Sequence, residues 1–280
     1  MKAPLIFDIK RASTADGPGI RTVVFFKGCN LDCAWCHNPE GKSAKAQIGF
    51  FEEKCISCGS CGTACENVRI QCDEVCGKCA ERCPSGARKI YGKSYSTEEL
   101  FEVISADKIY YDATGGGVTF SGGECMLRID FLTELAKICK EHGIHISVDT
   151  AGHVPFESFE KIIPYADLFL FDVKILDPEK HKRYVGAENT LILSNLKKLL
   201  ARKARIHIRI PVISGINDSI EEMKELRAFF EQNGIPEKIE LLPYHAMGEN
   251  KSHALGVVAQ SFEAPSAERL NALKEILRFD

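Results

Sequence analysis

The chain has 280 residues, 45% hydrophobic and 27% charged, enough to bury one large core or two smaller ones. A formal net charge of −3 and a pI near 6.3 give no global pull toward nucleic acid or an anionic membrane. The first ten residues lack an apolar signal segment, and no apolar run reaches the ~18 residues of a membrane helix, so a cytoplasmic protein with no nucleic-acid or membrane partner is expected; a monomer is the default expectation, though nothing in the sequence reads the oligomeric state.

The first candidate strand covers 22–27. Asp16-Gly17-Pro18-Gly19-Ile20-Arg21 precedes it, which on its own reads as an Asp-Gly turn. Directly after Gly28 come Cys29, Cys33 and Cys36, three thiols in one C-x3-C-x2-C loop. Thiols stay reduced in the cytoplasm, and thirteen cysteines, an odd number, point to metal rather than a disulfide framework. A structural zinc site wants four ligands, and His37, which abuts Cys36, would have to fold back sharply to be the fourth. A [4Fe-4S] cube held by three thiolates leaves one iron open, which suggests catalysis. A loop at the carboxyl end of a β/α strand is also where such folds place chemistry.

From 41 to 95 the chain turns Cys-, Gly- and charge-rich with little apolar periodicity, as expected of a small inserted domain with an inorganic core. Its cysteines are Cys55, Cys58, Cys61 and Cys65, then Cys72, Cys76, Cys79 and Cys83. This resembles the two-cluster bacterial ferredoxin pattern, in which the fourth cysteine of each run ligates the other cluster. The resemblance implies one [4Fe-4S] cluster on Cys55, Cys58, Cys61 and Cys83, and another on Cys72, Cys76, Cys79 and Cys65. Two departures stand out: Glu66 replaces the proline expected after Cys65, and the Cys72–Cys76 gap is one residue longer. Paired structural zinc is the competing reading.

Beyond the insert, candidate strands 117–121, 145–150, 168–174, 207–213 and 238–243 interleave with candidate helices 97–105, 129–142, 156–163, 190–203, 219–233 and 267–278. Ser96 and the Asn217-Asp218-Ser219 run read as helix caps. Such alternation predicts an α/β fold with a parallel sheet and right-handed crossovers. Six units fall short of a closed eight-fold barrel, so a partial (β/α)6 barrel over 1–40 and 96–280 is expected, with a doubly wound sheet as the alternative. The basic run from Lys197 and Lys198 through Arg202, Lys203, Arg205 and Arg209 reads as a solvated helix face entering a strand, with a polyanion site as the alternative. Cys125 and Cys139 read as small core residues.

Chemistry-bearing residues fall at or near the predicted strand ends: Gly122-Gly123-Glu124, Asp149-Thr150, Asp172-Val173-Lys174, Arg209 and Tyr244-His245. The two glycines would let a ligand approach the backbone, and Glu124 could accept from an ammonium. Asp149, Thr150 and Asp172 are hard oxygen donors, or else ordinary caps and turn formers.

C-x3-C-x2-C with an aromatic before its last cysteine resembles the signature of the radical S-adenosylmethionine (SAM) superfamily. The run from Asp16 to Pro39, with Leu241-Leu242-Pro243-Tyr244-His245, narrows the resemblance to activases of glycyl radical enzymes. It implies that the cluster on Cys29, Cys33 and Cys36 reductively cleaves SAM, and that the resulting 5′-deoxyadenosyl radical takes hydrogen from a backbone glycine of a partner enzyme. It also implies Trp35 beside the adenine and Gly122, Gly123 and Glu124 at the SAM amino group. Asp149, Thr150 and Asp172 would hold a monovalent cation, Arg209 would pair with the SAM carboxylate, and His245 would lie near the cluster. Asp16 and Lys174 would contact SAM or the partner loop. The insert would take electrons from a flavodoxin or ferredoxin, or only dock the partner. Insert-bearing activases serve glycerol and hydroxyproline dehydratases, choline lyase, arylacetate decarboxylases and alkylsuccinate synthase relatives. The remaining readings are a radical SAM enzyme acting on a small molecule or RNA, and an electron-transfer iron-sulfur protein.

Overall fold

The computed structural model describes residues 4–65 and 75–279. Its strands in chain order are β1 (Leu5–Ser13), β2 (Arg21–Phe26), β3 (Gln47–Phe50), β4 (Arg88–Tyr91) and β5 (Lys93–Ser94), then β6 (Gly117–Gly122), β7 (His145–Thr150), β8 (Leu168–Asp172), β9 (Ile206–Val212) and β10 (Lys238–Pro243). Eight of the strands form one sheet in the order β10-β9-β8-β7-β6-β2-β1-β5. The six strands from β2 to β10 in that sheet are mutually parallel. All six coincide with the strands expected from the sequence, within a residue or two at the ends.

Among the six parallel strands the order is monotonic along the chain. A doubly wound sheet reverses its order at a switch point, so that alternative is excluded. Helices cover the sheet, and β8, Leu168-Phe169-Leu170-Phe171, is buried along its length, as expected for a parallel strand packed on both faces. Helix Ile129–Glu141 turns Leu132, Leu135, Ala136 and Cys139 into the core at helical spacing. Ser96 forms a capping box with Glu99, fixing the start of helix Thr97–Ser105.

Strands β1 and β5 extend the sheet beyond β2 and are antiparallel to their neighbours. Sequence reading missed β1 because its side-chain alternation is broken: the register shifts twice, and Ala12 has a φ of 56°. Helices Lys108–Thr114, Pro178–Val185 and Met247–Ala254 were also missed; each is two turns long, too short for a clear period.

Strands β3 and β4 pair as a separate two-stranded ribbon, Gln47 opposite Tyr91 through Phe50 opposite Arg88, tying together the two arms of the cysteine-rich segment. Beyond the ribbon lie two short helices, Ser60–Ala64 and Lys78–Glu81, packed on one another. Each follows a glycine in left-handed conformation, Gly59 (φ 73°) and Gly77 (φ 78°), and each carries the third cysteine of its run, Cys61 or Cys79. The matching design gives the segment internal two-fold character. Cys72 and Glu66 lie outside the described residues.

Candidate active site

The cysteine loop leaves β2 at Gly28 and is fixed mainly by backbone bonds. Gly28 and Cys29 donate to the carbonyls of Gly41 and Lys42, and Asp32 and Ala34 donate to those of Val185 and Tyr184 (2.8 to 3.0 Å). The loop is thereby stapled both to its own outgoing arm and to the helix after β8. The Leu31 N–H donates to Cys29 Sγ at 3.4 Å, the contact a thiolate would strengthen. Burial raises Cys29 to about 12 and Cys36 to about 11, and raises Cys33 against the pull of the nearby Lys174 ammonium. Metal loading must therefore displace protons from these thiols. Among the described residues no three ligating side chains stand close enough for a single metal ion; a cube spreads its thiolates wider than one ion does. Every described cysteine is free of disulfides.

The end of β6 packs against the root of this loop. Gly123 N–H donates to the Phe26 carbonyl (2.9 Å) and Glu124 N–H to the Gly28 carbonyl (2.8 Å). A Cβ on Gly122 would come within 2.3 Å of the Phe26 backbone, and one on Gly123 within 2.4 Å of the Gly28 carbonyl. The close approach these glycines permit is thus to the cysteine loop itself. Glu124 is 1% exposed and accepts from Met126 N–H, Thr150 Oγ1 and Ala151 N–H at 2.8 to 3.1 Å. Burial pushes its carboxyl up to about 7 against these donors. Its side chain joins the ends of β6 and β7.

Asp149 and Thr150 are adjacent on β7, so their side chains leave on opposite faces. Thr150 turns to Glu124, whereas Asp149 points to the other face of the sheet, accepting from Ser121 Oγ at 2.7 Å. Arg209 on β9 brings its Nη1 within 3.4 Å of Asp149 Oδ1. Lys174 donates to Asp172 Oδ2 at 2.7 Å. Burial works against the Lys174 ammonium, but Asp172 with Cys33 and Cys36 outweighs it and holds the group above its ordinary value. Asp149, Asp172, Lys174 and Arg209 therefore share a polar shelf beside the cysteine loop, from which the Thr150 side chain is absent.

On that shelf the buried Nε and Nη1 of Arg209 have no hydrogen-bond partner. Asp149 raises the guanidinium further, so it stays charged. A buried cation whose Nε–H has no partner, and whose Nη1 meets only the long ion-pair contact to Asp149, suits a ligand carboxylate.

Trp35 is 9% exposed and packs on Tyr184 and Phe262, with centroids 6.1 and 6.0 Å away. His245 follows β10 and meets His37, Nε2 to Nδ1, at 2.9 Å. Burial, then Lys251, lowers His37 to about 4, leaving it neutral. Trp35, Cys36, Tyr244, His245, Glu249 and Gln260 help line a cavity of about 230 Å³ that none of the shelf residues reaches. Asp16 lies on the loop between β1 and β2, held by the Ser13 hydroxyl, within electrostatic reach of Arg209 and Asp149.

Sequence reasoning missed three buried asparagines that set the strand-end loops. Asn195 donates to the Gly152 and Val154 carbonyls (2.8 and 2.7 Å), and Asn189 to those of Ile175 and Leu176. Asn217 donates to the Lys174 and Pro211 carbonyls at 2.7 Å each and accepts from Ile213 N–H. Asn195 had a legible signal, a polar residue among Ile192, Leu196 and Leu199 on a helix's apolar face. Asn217 hides in a run that reads as a cap, a task the structure gives to Ser219. Asn217→Ala strands three backbone groups and is expected to cost about 2–4 kcal/mol of stability, read as a lower denaturant midpoint at unchanged slope.

Residues 23–227 match the family model of the radical SAM superfamily. The chain is 39% identical to the trans-4-hydroxy-L-proline dehydratase activating enzyme of Clostridioides difficile, over 98% of this chain and 95% of the relative. It is 41% identical to the (2S)-3-sulfopropanediol dehydratase activating enzyme of Klebsiella oxytoca, over 90% and 86%. It is 39% identical to the choline trimethylamine-lyase activating enzyme of Oleidesulfovibrio alaskensis, over 90% and 87%. Among solved structures, a domain of a pyruvate-formate lyase-activating enzyme from Bacteroides vulgatus aligns at TM-score 0.51 and 32% identity, covering 58% of this chain and 92% of that one.

Proposed function

The chain belongs to the radical SAM superfamily and, within it, to the activating enzymes of glycyl radical enzymes, and from that premise we propose that it abstracts a backbone glycine hydrogen from a dehydratase, lyase or decarboxylase of that kind. The observation that carries the reading is the buried guanidinium of Arg209, paired only with Asp149 and with its Nε unpartnered, set on the polar shelf beside the three-thiol loop.

Cys29, Cys33 and Cys36 would hold a [4Fe-4S] cluster, which when bound supplies one electron and an open iron for cleaving the SAM sulfonium bond. Arg209 takes the SAM carboxylate, filling donors that otherwise stay unpaired in a buried place. Asp149 holds Arg209 in line, and Ser121 holds Asp149. Lys174, fixed by Asp172, places positive charge against the thiolates and steadies their anionic form. Asp149 and Asp172 would remain the carboxylates for a monovalent cation beside the SAM carboxylate, with the Thr150 side chain turned away to Glu124. Trp35 and His245 border a cavity next to Cys36 that suits a flat ring, whose faces would lie among aromatics. Gly122, Gly123 and Glu124 serve by bracing the cysteine loop.

The insert would hold two further [4Fe-4S] clusters. Support comes from the repeated glycine-helix unit around Cys61 and Cys79, and from Cys83 lying within electrostatic reach of Cys58, as the crossed ligation requires. These clusters would relay electrons from a flavodoxin or ferredoxin. After anaerobic reconstitution, iron and sulfide near ~12 per chain are expected, and about four would overturn the extra clusters. Incubation with SAM, dithionite and candidate glycyl radical enzymes of the dehydratase, lyase and decarboxylase types should give the EPR doublet of a glycyl radical. If 5′-deoxyadenosine accumulated while every partner stayed silent, a small-molecule or RNA substrate would replace this reading.

A further inference from the structure

The two halves of the cysteine-rich segment match in backbone but not in side chains. Gly59 and Gly77, both left-handed, each open a short helix that carries Cys61 or Cys79. The residue between glycine and cysteine is Ser60 in the first half and Lys78 in the second. Ser60 Oγ lies 3.3 Å from Cys58 Sγ, within the longer reach of a sulfur hydrogen bond. In the other half a different serine takes up the same relation, with Ser85 Oγ 3.7 Å from Cys83 Sγ.

Each serine stands two residues after its cysteine, and the backbone holds it there. Ser57 takes the left-handed conformation (φ 54°), which few residues other than glycine adopt, and so curls the chain around Cys58. Thr63 Oγ1 donates to the Ser60 carbonyl at 2.8 Å. Beyond Ser85, Gly86 at φ 66° donates its N–H to the Cys83 carbonyl, closing a tight turn. A free thiol can donate to a hydroxyl, but a thiolate has no proton, so on a cluster each serine becomes the donor.

Cys58 and Cys83 lie within electrostatic reach of one another, and crossed ligation puts both on one cube with Cys55 and Cys61. The two hydroxyls would then converge on a single cluster. A cube on four thiolates gains a negative charge when it takes an electron, so a donor at its sulfur stabilises the reduced state more than the oxidised one.

We propose that Ser60 and Ser85, from opposite halves of the insert, donate to two thiolates of one and the same [4Fe-4S] cluster, that on Cys55, Cys58, Cys61 and Cys83, and raise its reduction potential. This inference rests on the two-cluster reading above and gives a task to two residues that hold no metal. No bond forms or breaks: one electron enters from the reductant, and the serine protons stay on their oxygens.

The test is an EPR-monitored potentiometric titration of the reconstituted chain, with dithionite as reductant. It is run in the Cys33→Ala background, where the loop cluster is lost and only the insert titrates. Ser60→Ala and Ser85→Ala are each expected to lower the reduced-to-oxidised ratio of one half of the signal about threefold, a shift of about 28 mV for a one-electron couple. In the double variant that same half should shift about ninefold, or about 56 mV, while the other half stays in place. Ser60→Thr keeps the hydroxyl and should titrate like the parent. Iron and sulfide should be unchanged throughout, so the shift is one that a merely structural role would not produce. If the double variant moved both halves about threefold, each cysteine run would hold its own cube and the shared cluster would be wrong. Unmoved potentials in both single variants would also overturn the proposal. Iron near ~4 per chain in the wild type would remove the two-cluster reading itself, whereas ~12 with no serine effect removes only this inference.

Discussion

Exchange of Cys33 for Ala is expected to abolish 5′-deoxyadenosine formation altogether. The cysteine loop offers three thiols and no fourth, so losing one leaves too few ligands to hold the cube with one iron free. Cys33 is the middle thiol of the three, and Asp32 and Ala34 on either side bond through their backbone N–H groups to Val185 and Tyr184. Iron should fall by about four per chain while the insert keeps about eight, which separates loss of this cluster from general failure of assembly. Cys139→Ala is the control. Its thiol is buried on the apolar face of helix Ile129–Glu141, away from the loop, and removing one sulfur there should cost about 1 kcal/mol and no activity. Product formation by the Cys33 variant at the wild-type rate would remove the catalytic assignment of the triplet.

The sequence was most legible where a period or a spacing is strict. Six parallel strands, five longer helices, the short helix Phe156–Ile162 and the cysteine spacings could be read because burial imposes a period and metal binding imposes a separation. What stayed hidden depends on partners distant in the chain. Arg21 reads as the end of a turn, and only the folded chain shows that Thr119 and His145 surround it. Glu124 reads as an acceptor waiting for a ligand, yet Thr150 and Ala151 already occupy it. Thr150 and Asp149 read as neighbours in one donor set, but strand alternation sends them to opposite faces, a consequence available from the sequence once β7 is assigned. The short helix Pro178–Val185, whose last residues pin the cysteine loop, was too brief to carry a period.

Arg209→Met is expected to separate SAM binding from cluster assembly. Methionine keeps much of the stem volume and removes the fork. Iron content should be unchanged, because the three thiols and Lys174 lie on other segments. SAM affinity should drop by about 2–4 kcal/mol, the usual loss when one member of a buried, hydrogen-bonded charge pair is cut, or roughly 30- to 1,000-fold in Kd. Arg209→Lys should recover only part of this, since a single ammonium replaces two directed donors. A second consequence concerns Asp149. Burial raises its carboxyl, and Arg209 is the largest influence pulling it down. Without the guanidinium, Asp149 faces Asp172 with only Ser121 to help, so its carboxyl should rise further and its charged form become costlier to bury. Double exchange, Arg209→Met with Asp149→Asn, removes that stranded charge and should regain stability without regaining SAM affinity. Equilibrium binding of SAM to the reconstituted variants reads the first effect and denaturant unfolding the second. If SAM bound Arg209→Met as tightly as wild type, the idle donors on the shelf would belong to some other ligand.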